Sequence, residues 1–124
     1  MSTVTKTRST TEVANRLLEL CRKGQFKEAQ EELFAENVTS TEPAYSPLPS
    51  ATGKTAVLQK GANFATMIET HHSSSFSEPN IGGSYFSFAM MLDATFKGKG
   101  RMKLEEICLF QVSNGQIVSE QFFF

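Results

Sequence analysis

Two carboxylates stand out by their neighbours. Counted by strand alternation, Glu106 shares a face with Leu104, Cys108 and Phe110, and Glu120 shares one with Val118, Phe122 and Phe124. An isolated carboxylate on an apolar strand face is costly unless it is paired, hydrogen-bonded or protonated. Each therefore has two readings. In one, both point into a pocket as acid/base or ligand-anchoring groups. In the other, they are satisfied by a Lys or Arg from a helix, or a bulge turns Glu105 inward in place of Glu106. His71-His72 lies where a helical period gives way to an alternating one, and histidine suits acid or base work near neutral pH. His72 is the one expected to enter the pocket, because it shares strand parity with Phe76. Tyr45 offers either a phenol from a Pro-rich loop or a ring for packing.

Two other signals lead nowhere. Gly53-Lys54-Thr55 has the end of a phosphate loop, but Leu48-Pro49 stands where the earlier glycine is needed. Gly98 and Gly100 belong to a hairpin turn with no helix after it, so no dinucleotide is expected. No set of side chains has the spacing of a metal site, and no cofactor is expected.

These residues need a scaffold, and the chain is long enough to build one. Its 124 residues, 40% hydrophobic and 20% charged, suit a single domain with a real core. A net charge of −1 argues against nucleic-acid partners and anionic membrane surfaces, and no apolar run is long enough to span a bilayer. Two cysteines do not make a disulfide framework, so a cytoplasmic location is expected, with Cys21 and Cys108 as small buried hydrophobes. Residues 1–11, rich in Ser and Thr and without a signal-like apolar stretch, are expected to form a flexible tail before a domain over 12–124.

Ser9-Thr10-Thr11-Glu12 has capping-box form, and Val13, Leu17, Leu20 and Cys21 follow at helical spacing up to Lys23-Gly24. Phe26, Ala29 and Leu33 mark a second helix, and Val38 to Glu42 a short strand. Pro43, Pro47 and Pro49 prevent regular structure through Ala51. A third helix is expected over roughly Thr55 to Glu69, with Leu58, Ala62, Ala65 and Ile68 on its inner face. Ser73 to Glu78 is a polar strand, and Tyr85 to Phe96 alternates with Phe86, Phe88, Met90, Leu92, Ala94 and Phe96 on one side. After the turn at residues 97–100, Met102, Leu104, Glu106, Cys108, Phe110 and Val112 share the next inner face. Asn114-Gly115 is a strong hairpin signal before Ile117 to Phe124. The predicted class is α+β, with three helices packed on a strongly curved antiparallel sheet that forms a cone around an internal pocket. On the outer, convex face, Met91, Ile107, Leu109 and Phe123 predict a homodimer contact.

From Leu17 onward this order resembles the SnoaL-like branch of the nuclear transport factor 2-like superfamily. The matching stretches are Lys23-Gly24-Gln25-Phe26, Phe34-Ala35-Glu36-Asn37-Val38, Thr41-Glu42-Pro43, Gly53 before the third helix, and Asn114 through Phe123. The resemblance implies the cone fold and a dimer. It leaves the role open among steroid isomerases, polyketide cyclases, dehydratases, association domains and transport adaptors. It implies that Glu42 stands where the isomerases carry a proton-shuttling Asp before Pro; the alternative is an exposed loop acid at a strand end. It also implies that Leu17 and Cys108 occupy the positions of their two oxyanion donors, so efficient steroid isomerisation is not expected.

The expected catalytic set is thus Glu42, His72, Glu106 and Glu120. The expected ligand-binding residues are Leu17, Tyr45, Phe64, Phe86 and Phe88, with Met90, Cys108, Phe110 and Phe122 from the same apolar wall. The expected ligand is a small apolar or amphipathic molecule, turned over by acid/base chemistry or carried without reaction.

Overall fold

A computed structural model describes residues 7–124. Helix α1 (Thr10–Arg22) begins as its capping box dictates: the Glu12 N–H donates to Ser9 Oγ at 3.1 Å, and the Ser9 N–H donates to Glu12 Oε1 at 2.9 Å. The expected flexible tail lies partly outside the described residues. Within them, Arg8 donates to Glu32 Oε2 at 3.0 Å, and the helix begins at Thr10, directly after the Ser9 cap. The buried stripe of α1 includes Val13, Leu17, Leu18 and Cys21.

Helix α2 (Phe26–Leu33) runs directly into strand β1 (Phe34–Thr41), which is longer than its sequence suggests because Phe34 and Ala35 are buried strand residues rather than a loop. The Pro-rich segment follows, and a two-residue strand β2 (Ala51–Thr52) leads through Gly53 into α3 (Lys54–Met67). Here the expected helix face is wrong. The residues of α3 that turn inward are Val57, Lys60 and, half-buried, Phe64, whereas Ala62 and Ala65 are exposed. Alanines carry little area to bury, so they are weak markers of a face, and Val57 and Phe64 decide it. The helix stops at Met67 because β-branched Ile68 and Thr70 open strand β3 (Ile68–Phe76), pairing with Phe96 and Thr95.

The rest of the sheet is β4 (Asn80–Gly82), β5 (Tyr85–Phe96), β6 (Gly100–Ser113) and β7 (Gln116–Phe123), in the order β2-β1-β7-β6-β5-β3 with β4 on β5. All pairings are antiparallel except β1 with β7, which is parallel, so the sheet is mixed. No hairpin links those two strands, and turn chemistry does not dictate their direction. The β6–β7 hairpin turns at Asn114 and Gly115, with φ of 51° and 74°. Gly115 is needed twice over: a Cβ there would lie 2.9 Å from Thr7 Cγ2 and 3.0 Å from the Arg8 backbone nitrogen.

The inner faces of β5 and β6 match their alternation. Phe86 pairs with Phe110, Phe88 with Cys108, Met90 with Glu106 and Leu92 with Leu104. The Phe86 and Phe110 rings stack at 4.8 Å, with Phe88 5.3 Å from Phe110. These rings join the inner residues of α1 in the main apolar cluster; Leu92, Ala94 and Phe96 form a second one with Phe64 and Leu104. Burial of each such large side chain contributes roughly 2 kcal/mol. The Met90–Glu106 rung lies between the Phe88–Cys108 rung of the first cluster and the Leu92–Leu104 rung of the second. No helix among the described residues is long and apolar enough to cross a membrane.

Candidate functional site

The sheet carries its inward acids at the Met90–Glu106 rung and beside Phe110 of the main cluster, and three strands supply them. Strand β1 contributes Ser40 and, just past its end, Glu42, whose backbone N–H is held by Ser50 Oγ at 2.9 Å. Strand β7 contributes Glu120, paired in register with Ser40. Strand β6 contributes Glu106. Helix α3 lays Lys60 over them.

The geometry is a chain of donors and acceptors. Lys60 Nζ donates to Ser40 Oγ at 2.6 Å, and the Ser40 hydroxyl donates its only proton to Glu120 Oε2 at 2.7 Å. Lys60 Nζ also reaches Glu42 Oε1 at 3.4 Å, with the two side chains only 9% and 7% exposed. The same nitrogen lies 5.5 Å from the centre of the Phe122 ring. The Cys108 thiol donates to Glu106 Oε1 at 3.7 Å.

Burial decides the charge states. It pushes Glu120, 6% exposed, up to about 7 against the pull of Ser40 and Lys60. Burial, then the charge of Glu42, pushes Glu106 up to about 7. Burial also raises Glu42, with Lys60 opposing. Lys60 thus faces Glu42 directly and Glu120 through Ser40, and burial disfavours the charged form of all three carboxyls. That is what a site needs to take a proton at one atom and return it at another. Burial raises both thiols, Cys21 to about 12, so neither cysteine is poised as a nucleophile.

Glu42 and Glu120 meet here through Lys60 and Ser40, Glu106 lies on the inner face of β6 with only the Cys108 thiol on it, and His72 is elsewhere. Its parity with Phe76 is broken by a register shift between His71 and Ser73, which turns it to the outer side, where its ring nitrogen lies 2.7 Å from Thr95 Oγ1. A second irregularity between Gln111 and Val112 displaces Val118 from the Glu120 face and buries Ile117 in its place.

The expected ligand-binding residues divide. Leu17, Phe86, Phe88, Cys108 and Phe110 are packed core. Met90 and Phe122 are half-buried against that core, and Phe64 belongs to the second cluster. Tyr45 is 71% exposed, its ring edge-on to Phe124. None of the nine lines the groove of about 500 Å³ between residues 47–52 and the Ala56, Gln59, Lys60, Asn63 and Met67 positions of α3. Alternation reports which face a side chain takes, but not whether a neighbour fills the space before it. The packed rings close that part of the expected internal pocket.

Lys60 and Ser40 are the residues that sequence reasoning missed. The available signal was a lone lysine at i+3 from Val57 and i−4 from Phe64, hence on the helix stripe that is otherwise apolar. No group of three or more His, Cys, Asp or Glu is arranged to hold a metal among the described residues.

A family model for the SnoaL-like domain matches residues 8–124. No curated protein matches significantly. Among solved structures, a Mesorhizobium loti protein named as a candidate SnoaL-like polyketide cyclase is 30% identical, with a TM-score of 0.88 over 94% of this chain and 100% of that one. A Catenulispora acidiphila protein with a ketosteroid isomerase-like fold, solved with trimethylamine, is 20% identical, with a TM-score of 0.73 over 94% and 87% of the two chains. A Xanthomonas campestris protein with a cystatin-like fold is 16% identical, with a TM-score of 0.74 over 94% and 90%. The last two show the fold alone.

Proposed function

The chain belongs to the SnoaL-like domain family, and on that premise we propose that it binds a small apolar or amphipathic molecule and rearranges it by acid/base chemistry, as an isomerase, cyclase or dehydratase. One observation carries this reading: Glu42 and, through Ser40, Glu120 converge on Lys60, which lines a groove of ligand size, with Glu106 raised by burial on the neighbouring strand. A carrier needs no such set, since an apolar wall suffices to hold its cargo. Glu42, whose ionised form Lys60 favours, is the base; Glu106 and Glu120 hold the protons that are returned.

The test is proton exchange. 2-Tetralone, a bicyclic ketone with acidic α-hydrogens, is incubated with the protein in D₂O and followed by proton NMR. Exchange faster than buffer alone, slowed about 100-fold or more by Glu42→Gln, is the expected result. Equal rates for the two proteins would remove Glu42 from the chemistry.

The same proposal includes a homodimer through the outer sheet face. Ile107 and Phe123 are cross-strand neighbours there, 47% and 46% exposed, with Met91 and Leu109 half-buried nearby. Both cysteines are free and buried, which suits a reducing cytoplasm.

A further inference from the structure

Lys60 is placed unlike the other described lysines. Lys23, Lys27, Lys97, Lys99 and Lys103 are exposed and Lys54 is half-buried, whereas the Lys60 side chain is only 9% exposed. Val57 and Phe64, about one turn before and after it, fix the helix face that carries it inward. A methionine would continue that apolar stripe without the cost of burying a charge. An ammonium has three N–H directions, and two are met by Ser40 Oγ at 2.6 Å and Glu42 Oε1 at 3.4 Å. The third has no partner among the described residues. Lys60 is also the one charged residue lining the groove between residues 47–52 and α3, beside the apolar wall of Pro47, Leu48, Pro49 and Met67. Burial already disfavours the charged forms of Glu42, Glu106 and Glu120, so an anionic ligand at Lys60 would crowd a fourth negative group among them. A neutral electrophile would not.

We propose that Lys60 is a Schiff-base lysine, whose amine reversibly captures a small aldehyde with an apolar body from the groove. This goes beyond the acid/base reading and does not depend on it. The Lys60 ammonium first passes one proton to the Glu42 carboxylate it already contacts, and the amine pair forms an N–C bond to the aldehyde carbon while the carbonyl π pair moves to the oxygen. That oxygen takes a second nitrogen proton to give the carbinolamine. The hydroxyl leaves as water with a proton from solvent in the groove, the nitrogen pair closes the C=N bond, and Glu42 gives up its proton to solvent. Glu42 thus exchanges a proton with the nitrogen alone and need not touch the ligand. Nothing is oxidised or reduced. The iminium keeps the single positive charge of the ammonium, so Glu42 and the Ser40–Glu120 line retain their cation throughout.

Reductive trapping tests the assignment. The protein is mixed with benzaldehyde, which has no α-hydrogen and cannot enter the exchange chemistry above, and with cyanoborohydride, which reduces an iminium to a secondary amine. Peptide mass spectrometry then locates the benzyl group over time. Burial alone would make Lys60 the slowest lysine to react. The expected result is the reverse: Lys60 is labelled about 10-fold or more faster than any other lysine of the unaltered protein. That comparison needs no variant. Lys60→Arg, which keeps the cation but has no lysine amine, should lose the fast label while the slow labelling of the other lysines persists. Labelling of Lys60 no faster than that of the exposed lysines, or a fast label that survives in Lys60→Arg, overturns the proposal. Either outcome leaves the 2-tetralone test of the acid/base reading untouched.

Discussion

Ser40 and Glu120, eighty positions apart in the chain, meet across the parallel pairing of β1 with β7, with the serine hydroxyl 2.7 Å from the carboxylate. Lys60 donates to the same hydroxyl from above, so one serine connects a helix to the deepest acid of the sheet. Every member of that line is buried, and each depends on the next for its hydrogen bond.

Removing the serine hydroxyl tests the line directly. Ser40 holds the Glu120 carboxyl down by donating to its ionised form. In Ser40→Ala that donor is gone, and Glu120 is expected to titrate above the value of about 7 it has with Ser40 in place. Carbon-13 NMR of labelled glutamate carboxyls reads this. The variant should also lose about 1–3 kcal/mol of stability, since Lys60 and Glu120 each lose a buried partner. An unchanged Glu120 titration would show that burial alone sets its behaviour.

Stability should fall as pH rises through neutrality. Glu106 and Glu120 are raised from an ordinary 4.5 to about 7, so the folded chain binds more protons than the unfolded one between those values. Their contribution is complete below about 4.5 and is lost as pH climbs through about 7, by up to roughly 3 kcal/mol for each group. Glu42, also raised, has the same sign. Glu32 and Asp93 are lowered by their arginine partners, so their contributions disappear only in more acidic solution, outside this window. Urea midpoints at pH 5 and pH 8 should therefore differ, the former being higher, and Glu106→Gln should shrink the difference. A midpoint that rises with pH contradicts the assignment.

The Lys60–Glu42 pair should behave as coupled residues. Lys60→Met leaves a buried carboxylate without its cation and should cost about 3–5 kcal/mol near neutral pH, less in acid where Glu42 takes up a proton. Combining it with Glu42→Gln removes the stranded charge, so the double variant should be more stable than the sum of the single effects predicts. Simple additivity in denaturant unfolding would mean that the two side chains do not sense one another.

The outer face offers a further check. Ile107→Glu places a charge opposite Phe123 in the proposed dimer contact without touching the inner acids. Sedimentation should then move from dimer to monomer while the fold survives. A stable monomer of the unaltered protein at micromolar concentration would remove the contact altogether.

Much of the fold was legible because its signals are local. The capping box at Ser9 and Glu12, the alternation along β5 and β6, and the Asn114-Gly115 turn each act within a few residues, and the structure follows all three. From the turn and the period, Glu120 could be set beside Phe122 and Glu106 beside Cys108 on the inner face. The resemblance brought in Glu42, through the proline that follows it. Where a local signal was weak or interrupted, the reading failed. The small residues of α3 did not mark its face, and the register shift after His71 sent His72 to the other side of the sheet.

The amino-acid sequence by itself determined the elements, the inward phase of the long strands, and hence which acids turn from water. Only the tertiary structure decided their partners. The parallel joining of β1 to β7 is dictated by no turn, and the rotation of α3 is set by Val57 and Phe64 packing inward. Those two events bring Ser40, Lys60, Glu42 and Glu120 together from three elements. Hydrogen bonds and charges act over a few ångströms of space, while spacing along a chain reports only neighbours within a turn or a rung.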